Sequence, residues 1–398
     1  MHDHPAIFLT AILLFLFGLV SRLAGRSPLS GPMVFLSMGV LISPVGFNLI
    51  DLHINADATR LIAEATLIII LFVDASMIRI TKLAKTLAGI PARLLLIGLP
   101  LTFAMGAAVA WLLFPGFNIW LIALMALILS PTDAALGQAV IKSEHVPARI
   151  RESISIESGL NDGIALPIIL MCIAVLAAGG EAIGGSGQWL TFMALQLTLG
   201  PIVGGAVGLI GGKLVDRAVA RGWMEPAFQS LAAVSLALLS YAFAEMVQGN
   251  GFIAAFFAGL LLGAKTPAVR ERIQEFGEAE GQMLSLSIFF VMGLAGVPLA
   301  LPYLDLNAVL YAVLSLTVIR MLPVALALLG SGLDAYTVIF VGWFGPRGIA
   351  SILYLLIAVG ELGAAGYERA IAVIVLTVAL STILHGITAV PMTKVFSR

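Results

Sequence analysis

A short polar stretch, ESGLNDGIALP, carries two carboxylates inside a segment that is otherwise apolar. Helical spacing places Ser158 and Asp162 on one face, four residues apart, and places Glu157 with Asn161 on a neighbouring face. A carboxylate at bilayer depth costs roughly 2.5 to 3.5 kcal/mol on insertion scales, so each acid needs either a partner or a task. The stretch is therefore a candidate functional site.

Two further charged residues adjoin prolines in other apolar segments. The motif SPTDA puts Thr132 and Asp133 beside Pro131. The motif GPRG puts Arg347 beside Pro346. Proline removes a backbone donor and disturbs the carbonyl four residues back, so a break is predicted in each helix. Freed carbonyls and helix ends in a membrane interior are ligands for a small cation.

These groups together supply carboxylates, hydroxyls and main-chain oxygens, which suit an alkali cation and not zinc or another soft metal. The predicted ligands of Na+ are Asp133, Asp162, Ser158 and Thr132. A carboxylate in such a site binds either a proton or a cation and disfavours both together. Competition for one site couples the two fluxes, and exchange results if the empty, ionised site crosses slowly. Asp74, in LFVDASM near a basic loop, is a weaker candidate for the ion path.

Some of the acids are expected to neutralise buried arginines instead. Arg320 lies deep in an apolar segment, and an unpaired buried arginine is costly. We predict Glu157 as its partner, with Arg347 either pairing less directly with Glu157 or facing the unwound region. Asp133 and Asp162 then have no obvious basic partner, because no lysine lies deep in any predicted span. Unpaired acids favour the ion site.

The composition determines the class of protein that positions these residues. The chain has 398 residues, 60% hydrophobic and 11% charged, with long apolar blocks that do not alternate. This pattern predicts an all-α polytopic membrane protein and excludes a closed barrel. The net charge of -1 gives no sign of a nucleic-acid partner. A phosphate-binding loop and a nucleophile elbow are both missing, which argues against an ATP-driven pump and against an enzyme. We expect no cofactor beyond the transported ions.

The apolar blocks predict about thirteen transmembrane helices. They run roughly from 6 to 24, 28 to 50, 61 to 79, 89 to 114, 118 to 141, 153 to 178, 189 to 213, 224 to 247, 250 to 264, 282 to 301, 305 to 329, 334 to 360 and 367 to 393. Lys and Arg cluster in alternate loops, which predicts an outside N-terminus and a cytoplasmic C-terminus. The glycines of PIVGGAVGLIGG, in the seventh span, predict close helix packing.

The first six spans fall near spans eight to thirteen when shifted by about 215 residues, a match of helix lengths and not of residue identity. The offset of seven spans is odd, so the second copy crosses the membrane in the opposite sense. This predicts inverted-topology repeats with two unwound crossing helices. The expected organisation of 1–398 is a single transmembrane domain without a soluble regulatory domain. It comprises repeat one at about 6–178, a linker helix at about 189–213 and repeat two at about 224–393.

ESGLND resembles the E-S-x-x-N-D motif of the monovalent cation:proton antiporter-1 family, which contains bacterial sodium/proton antiporters and animal sodium/proton exchangers. SPTDA and GWFGPRGIAS resemble the family's motifs on its two unwound helices. The resemblance covers nearly the whole chain and implies a homodimer. It implies that Asp162 is the principal ion and proton carrier. The other residues that it implies for binding the ion or supporting the site are Asp133, Thr132, Ser158, Glu157, Asn161 and Arg320.

The resemblance also bears on ion and charge balance. Asn161 occupies a position where the electrogenic branch carries Asp, and Asn is associated with electroneutral exchange. Ala134 replaces a proline that often follows the T-D pair, and Pro346 stands where many animal exchangers differ. The expected function is electroneutral exchange of Na+ or Li+ for H+ across an inner membrane. K+/H+ antiport by the same site is the alternative, and an ion channel or an organic-anion symporter of similar fold is more remote.

Overall fold

The computed structural model describes residues 4–24, 29–50, 56–78, 89–133, 136–179, 186–265 and 281–397. Every regular element in these ranges is helical. By length and composition, seven described helices can cross a membrane, and five shorter apolar helices accompany them. The fold class is therefore the all-α polytopic one that the sequence predicts.

The helices follow one another along the described ranges. Their bounds are α1 (His4–Ala24), α2 (Gly31–Ile42), α3 (Ala56–Met77), α4 (Ile90–Leu113), α5 (Ile119–Ile128), α6 (Gln138–Ile141), α7 (Ala148–Ala177), α8 (Ser186–Ala220), α9 (Pro226–Met246), α10 (Gly251–Lys265), α11 (Gly281–Tyr303), α12 (Leu306–Leu316), α13 (Val318–Ala327), α14 (Ala335–Trp343), α15 (Ile349–Leu362) and α16 (Glu368–Thr393). Each predicted span coincides with one helix or with two consecutive helices.

Two predicted boundaries are wrong by at least seven residues. The second span was expected to reach residue 50, but α2 ends at Ile42. Pro44 disfavours helical geometry at Ser43, and the chain turns there, with Phe47 N–H donating to the Leu41 carbonyl at 2.7 Å. The seventh span was expected to end at 213, whereas α8 continues to Ala220 because its charged last turns leave the apolar region while remaining helical.

The two helix breaks lie where the prolines predict them. The first lies between α5 and α6 and contains Pro131, and the second lies between α14 and α15 and contains Pro346. Both crossings begin with a capping side chain. Asn118 Oδ1 accepts from Trp120 N–H at 2.8 Å, and Asp334 Oδ1 accepts from Thr337 N–H at 2.6 Å. The crossings thus share one plan of cap, short apolar helix and break.

A third interruption separates α12 from α13 and was not predicted. Thr317, between the two helices, has φ -112° and ψ -95°. Its hydroxyl donates to the Val313 carbonyl at 2.7 Å, a local bond that competes with the helical pattern. Arg320 lies in the first turn of α13, immediately after the interruption. The interruption at Thr317 therefore helps to determine the position of the buried Arg320 side chain.

Glycines bring α8 and α10 together, as the sequence predicts. A Cβ atom at Gly204 would overlap the backbone of Ala254, and one at Gly208 would overlap Ala258. Small residues allow this approach and take the place of interdigitating side chains. Helix α10 also packs on α3, and α3 packs on α15, so this layer adjoins the broken crossings.

Candidate ion-binding site

The two breaks are joined to each other through Asp133. The Asp133 N–H donates to the Pro346 carbonyl at 2.9 Å, and Asp133 Oδ2 accepts from Ile349 N–H at 2.6 Å. Ile349 is the first residue of α15, so the carboxylate caps that helix where its dipole favours negative charge. Asp133 therefore has a structural contact in addition to its predicted role in ion binding.

Gly348 makes this contact possible. A Cβ atom at this position would overlap the Asp133 carboxylate. The collision would involve an atom that is held by the Ile349 N–H, so the carboxylate cannot simply move aside. A residue without a side chain is required here for the acid of one break to reach the helix of the other.

Arg347 donates hydrogen bonds to main-chain carbonyls at the two breaks. Its side chain is fully buried, and Nη1 donates to the Gly345 carbonyl at 3.0 Å and to the Pro131 carbonyl at 3.3 Å. Its backbone N–H donates to Ser381 Oγ at 2.7 Å. Of the two placements left open by the sequence, the structure shows the one in which Arg347 faces the unwound region. No hydrogen bond to Glu157 is found among the described contacts of this arginine.

Glu157 pairs with Arg320. The Nη1–Oε1 distance is 2.7 Å, and Nη2 donates to Oε2 at 3.0 Å, so the contact is bidentate. Both side chains are almost fully buried. The pair ties α7 to α13, and removing one partner would leave the other charge buried without compensation. This geometry fits the supporting role that the sequence predicts for both residues.

A chain of hydrogen bonds connects α7 with the first break. Asn161 Nδ2 donates to Thr132 Oγ1 at 2.8 Å and to the Thr132 carbonyl at 3.2 Å. Thr132 Oγ1 and Ser158 Oγ are 2.9 Å apart. Thr132 Oγ1 accepts from Asn161, and either hydroxyl can be the donor in its contact with Ser158. The neutral amide thus orients the two hydroxyls that are predicted to bind the ion.

Three carboxylates from three elements interact electrostatically with one another. Asp162 lies on α7 and Asp133 in the first break, both 9% exposed, and Asp74 lies exposed on α3 between buried neighbours. Asp74 interacts electrostatically with Asp133 and with Asp162, and these two also interact with each other. Asp162 Oδ1 has no hydrogen-bond partner among the described residues. Interacting like charges favour the binding of a compensating cation.

The structure therefore brings together the four predicted ligands, with Asp74 within electrostatic reach of the two acids among them. It also adds polar residues that the sequence analysis did not assign to the site. Ser351 Oγ donates to the Ile128 carbonyl at 2.7 Å, and Ser381 receives the Arg347 N–H. His385 is a hydrogen-bonded core residue, with Nε2 2.8 Å from the Trp343 carbonyl oxygen. Their only signal in the sequence is a polar side chain within an apolar helix.

Two interrupted helices that cross within an all-helical membrane protein, with a buried acid at one break and a buried arginine at the other, define the architecture of a secondary ion transporter. Residues 10–395 match the family model described as the transmembrane sodium/hydrogen exchanger. The chain belongs to this family, which consists of secondary transporters and not of enzymes.

Comparisons with individual proteins agree with this assignment. The chain is 30% identical over 350 residues to the K(+)/H(+) antiporter NhaP of Alkalimonas amylolytica, covering 86% of this chain and 58% of that protein. It is 26% identical over 271 residues to Na(+)/H(+) antiporter 2 of Zygosaccharomyces rouxii, covering 64% and 33%. The chain thus spans less than two thirds of the length of these curated relatives.

The fold is also found in a solved structure. The sodium proton antiporter MjNhaP1 from Methanocaldococcus jannaschii, at pH 8, superposes with a TM-score of 0.79 over 100% of both chains at 19% identity. This similarity establishes the antiporter fold for the chain, including the inverted repeats with two unwound crossing helices that the sequence predicts.

Proposed function

We propose that this protein exchanges a monovalent cation for a proton across the membrane in which it is embedded. One observation carries the proposal: the Asp162 carboxylate is buried, has an oxygen without a described partner, and interacts electrostatically with two other acids. The nearby arginines are engaged elsewhere, Arg320 with Glu157 and Arg347 with main-chain carbonyls. A cation or a proton is the charge that remains to compensate this acid.

The exchange mechanism follows from competition. A cation bound by Asp162, Asp133, Ser158 and Thr132 would neutralise the site, and so would a proton on Asp162. A site that holds neither cation nor proton is ionised and costly to carry through a low-dielectric interior, so only the loaded forms cross readily. The two ions therefore cross in opposite directions in turn. We propose that Asp74, which is exposed and interacts electrostatically with both buried acids, guides cations inward.

Na+ or Li+ is the proposed cation, and K+ is the second candidate. Hard oxygen ligands accept all three, and discrimination depends on cavity size and on the number of ligands. The second candidate is favoured by the name of the Alkalimonas relative, a K(+)/H(+) antiporter, whereas the Zygosaccharomyces relative is named for Na(+). The cation is a substrate in either case.

The proposed stoichiometry is one cation for one proton. Asn161 contributes a neutral amide that is engaged with Thr132, at a position where a second acid would add another charge. A full cycle would then move no net charge. The membrane voltage would do no work on it, although each uncompensated charge moved across 100 mV would contribute about 2.3 kcal/mol.

We further propose that the protein is a homodimer in an inner membrane. The alternating basic loops support an outside N-terminus and a cytoplasmic C-terminus. The proposed organisation remains one transmembrane domain, made of two repeats and a linker helix. We assign the long glycine-containing helix α8 as the proposed linker.

Proton flux in proteoliposomes tests this proposal, with Na+, Li+ and K+ offered in turn and Asp162→Asn as the inactive control. We expect exchange with at least one cation at neutral to alkaline pH. For Na+, a potential imposed with potassium and valinomycin should leave rate and end point unchanged. Exchange with none of the three cations would remove the proposed function. A voltage-dependent end point would mean that a second group, Asp133 or Asp74, takes part in charge transfer.

A further inference from the structure

Tyr354 is a buried polar residue that the site described above does not use. It lies in the second turn of α15 and is 1% exposed. Its ring packs in the apolar core, yet the hydroxyl has no hydrogen bond of acceptable geometry to any described residue. Buried tyrosine hydroxyls usually find a partner, so this one needs an explanation.

The hydroxyl lies beside the predicted ion carrier. Helix α15 packs against α7 and α3, and Tyr354 interacts electrostatically with Asp162 and with Asp74. Tyr354 lies close enough to Asp162 for a hydrogen bond between them to affect the electrostatics of the carboxylate. No hydrogen bond of good geometry is formed, however. A donor without a partner and the partner-free Oδ1 of Asp162 therefore adjoin each other. Hydrogen bonds in unliganded sites are often long and tighten when the substrate binds.

A packing role alone does not account for the oxygen atom. A phenylalanine ring would fill the same space and would bury no hydroxyl. Tyr311 offers the contrast within this chain, because it is equally buried but its hydroxyl donates to the Gly106 carbonyl at 3.3 Å. That hydroxyl has a structural contact, whereas the hydroxyl of Tyr354 has no described hydrogen-bond partner and interacts electrostatically with Asp162.

We propose that Tyr354 is a positioning residue of the ion site, whose hydroxyl donates to the Asp162 carboxylate and holds it in the orientation that binds the cation. The inference rests on the proposed function and deepens it. Thr132 and Ser158 would approach the ion from the first break and from α7, and Tyr354 would fix Asp162 from α15. The second crossing would thus reach the ion through this tyrosine as well as through its contact with Asp133.

The test uses Tyr354→Phe in the full chain, with Tyr311→Phe as the matched control that removes the same atom from another buried tyrosine. Exchange is measured in proteoliposomes against cation concentration at one alkaline pH, for the cation that the parent transports. Loss of one hydrogen bond to a charged group should raise the KM for the cation about tenfold and leave the rate at saturating cation within about twofold. Tyr311→Phe should leave the KM unchanged.

A second measurement keeps the inference open to refutation if transport is lost. Thermal stabilisation of the detergent-solubilised protein by Na+, Li+ or K+ reports binding directly, and its midpoint should move about tenfold in Tyr354→Phe. If that variant does not fold, Tyr354→Met removes the hydroxyl through a flexible side chain of related size and should give the same shift. Unchanged KM and unchanged binding midpoint would overturn the role of Tyr354 alone. A parent that neither binds nor exchanges any of the three cations would overturn the proposed function and this inference with it.

Discussion

The two broken crossings share a plan but carry opposite charges at their breaks. In the first, Asp133 follows Pro131, and its carboxylate caps α15 of the second crossing. In the second, Arg347 follows Pro346, and its guanidinium donates a hydrogen bond to the Pro131 carbonyl of the first crossing. The charged side chain of each break thus forms a hydrogen bond with a main-chain group of the other crossing. An anion lies at a helix start and a cation lies at freed carbonyls, as backbone dipoles favour.

This difference separates the charges that support the fold from the charge that is available to an ion. Asp133 and Arg347 both contact main-chain groups, and Glu157 is paired with Arg320. Asp162 lies on α7, which is unbroken here, so no freed helix end compensates its charge. Of the two buried acids of the site, Asp162 has no described hydrogen bond from a main-chain N–H, so it is the one expected to depend most on the transported ions.

The largest expected effect comes from removing that acid. Asp162→Asn should yield a folded, inserted protein whose exchange falls to the level of empty liposomes, because an amide neither takes up the proton nor neutralises the cation. Gel filtration and thermal unfolding would establish the fold, and proton flux the loss. Normal exchange in this variant would move the carrier role to another residue.

The next effect concerns the charges that support the breaks. Glu157→Gln leaves Arg320 buried without its partner and should lower the free energy of unfolding by about 3 to 5 kcal/mol. Replacing both residues with uncharged ones should cost less than the sum of the single changes. Glu152→Gln, on an exposed position of the same helix, is the control and should change little. Additive losses would show that the ion pair does not act as a unit.

A smaller effect is expected from Asp133, because it combines both roles. Asp133→Asn keeps an oxygen for the Ile349 N–H but loses the charge, so the fold should persist while the KM for the cation rises about tenfold. Asp133→Ala also loses the cap and should cost about 0.5 to 2 kcal/mol of stability in addition. An unchanged dependence on cation concentration in Asp133→Asn would assign this residue to structure alone.

The smallest effect lies at the two caps. Hydrogen bonds from the Thr337 backbone N–H and hydroxyl lower the pKa of Asp334, whereas Asn118 at the other crossing carries no charge. A lowered pKa gives stability that is present above the ordinary value of about 4 and is lost as the pH falls through the folded-state pKa. The parent should therefore exceed Asp334→Asn in melting temperature at neutral pH, and the gap should close below about pH 4. A gap that is independent of pH would contradict this cap.

The sequence predicted the features that local chemistry determines. Pro131 and Pro346 indicated the breaks because proline acts on its own helix, and ESGLND indicated the polar face of α7 by spacing alone. The interruption at Thr317 was missed because neither proline nor glycine marks it. Tyr354 was missed because a single tyrosine in an apolar helix indicates packing, and its proximity to Asp162 depends on how α15 lies against α7. The contact of Asp133 with Ile349 joins residues 216 positions apart, which no local pattern reveals.

The contact at Gly348 has a consequence for how the two halves of such a chain can diverge after a duplication. The space at position 348 is occupied by a carboxylate from the other half, so a mutation that adds a methyl group there is tolerated only after the acid at 133 has been lost or shortened. Drift at one of these positions is therefore conditional on the state of the other. A relative that carries alanine at the position matching Gly348 is expected to have no aspartate at the position matching Asp133. The aspartate is expected to have been lost before the glycine was replaced.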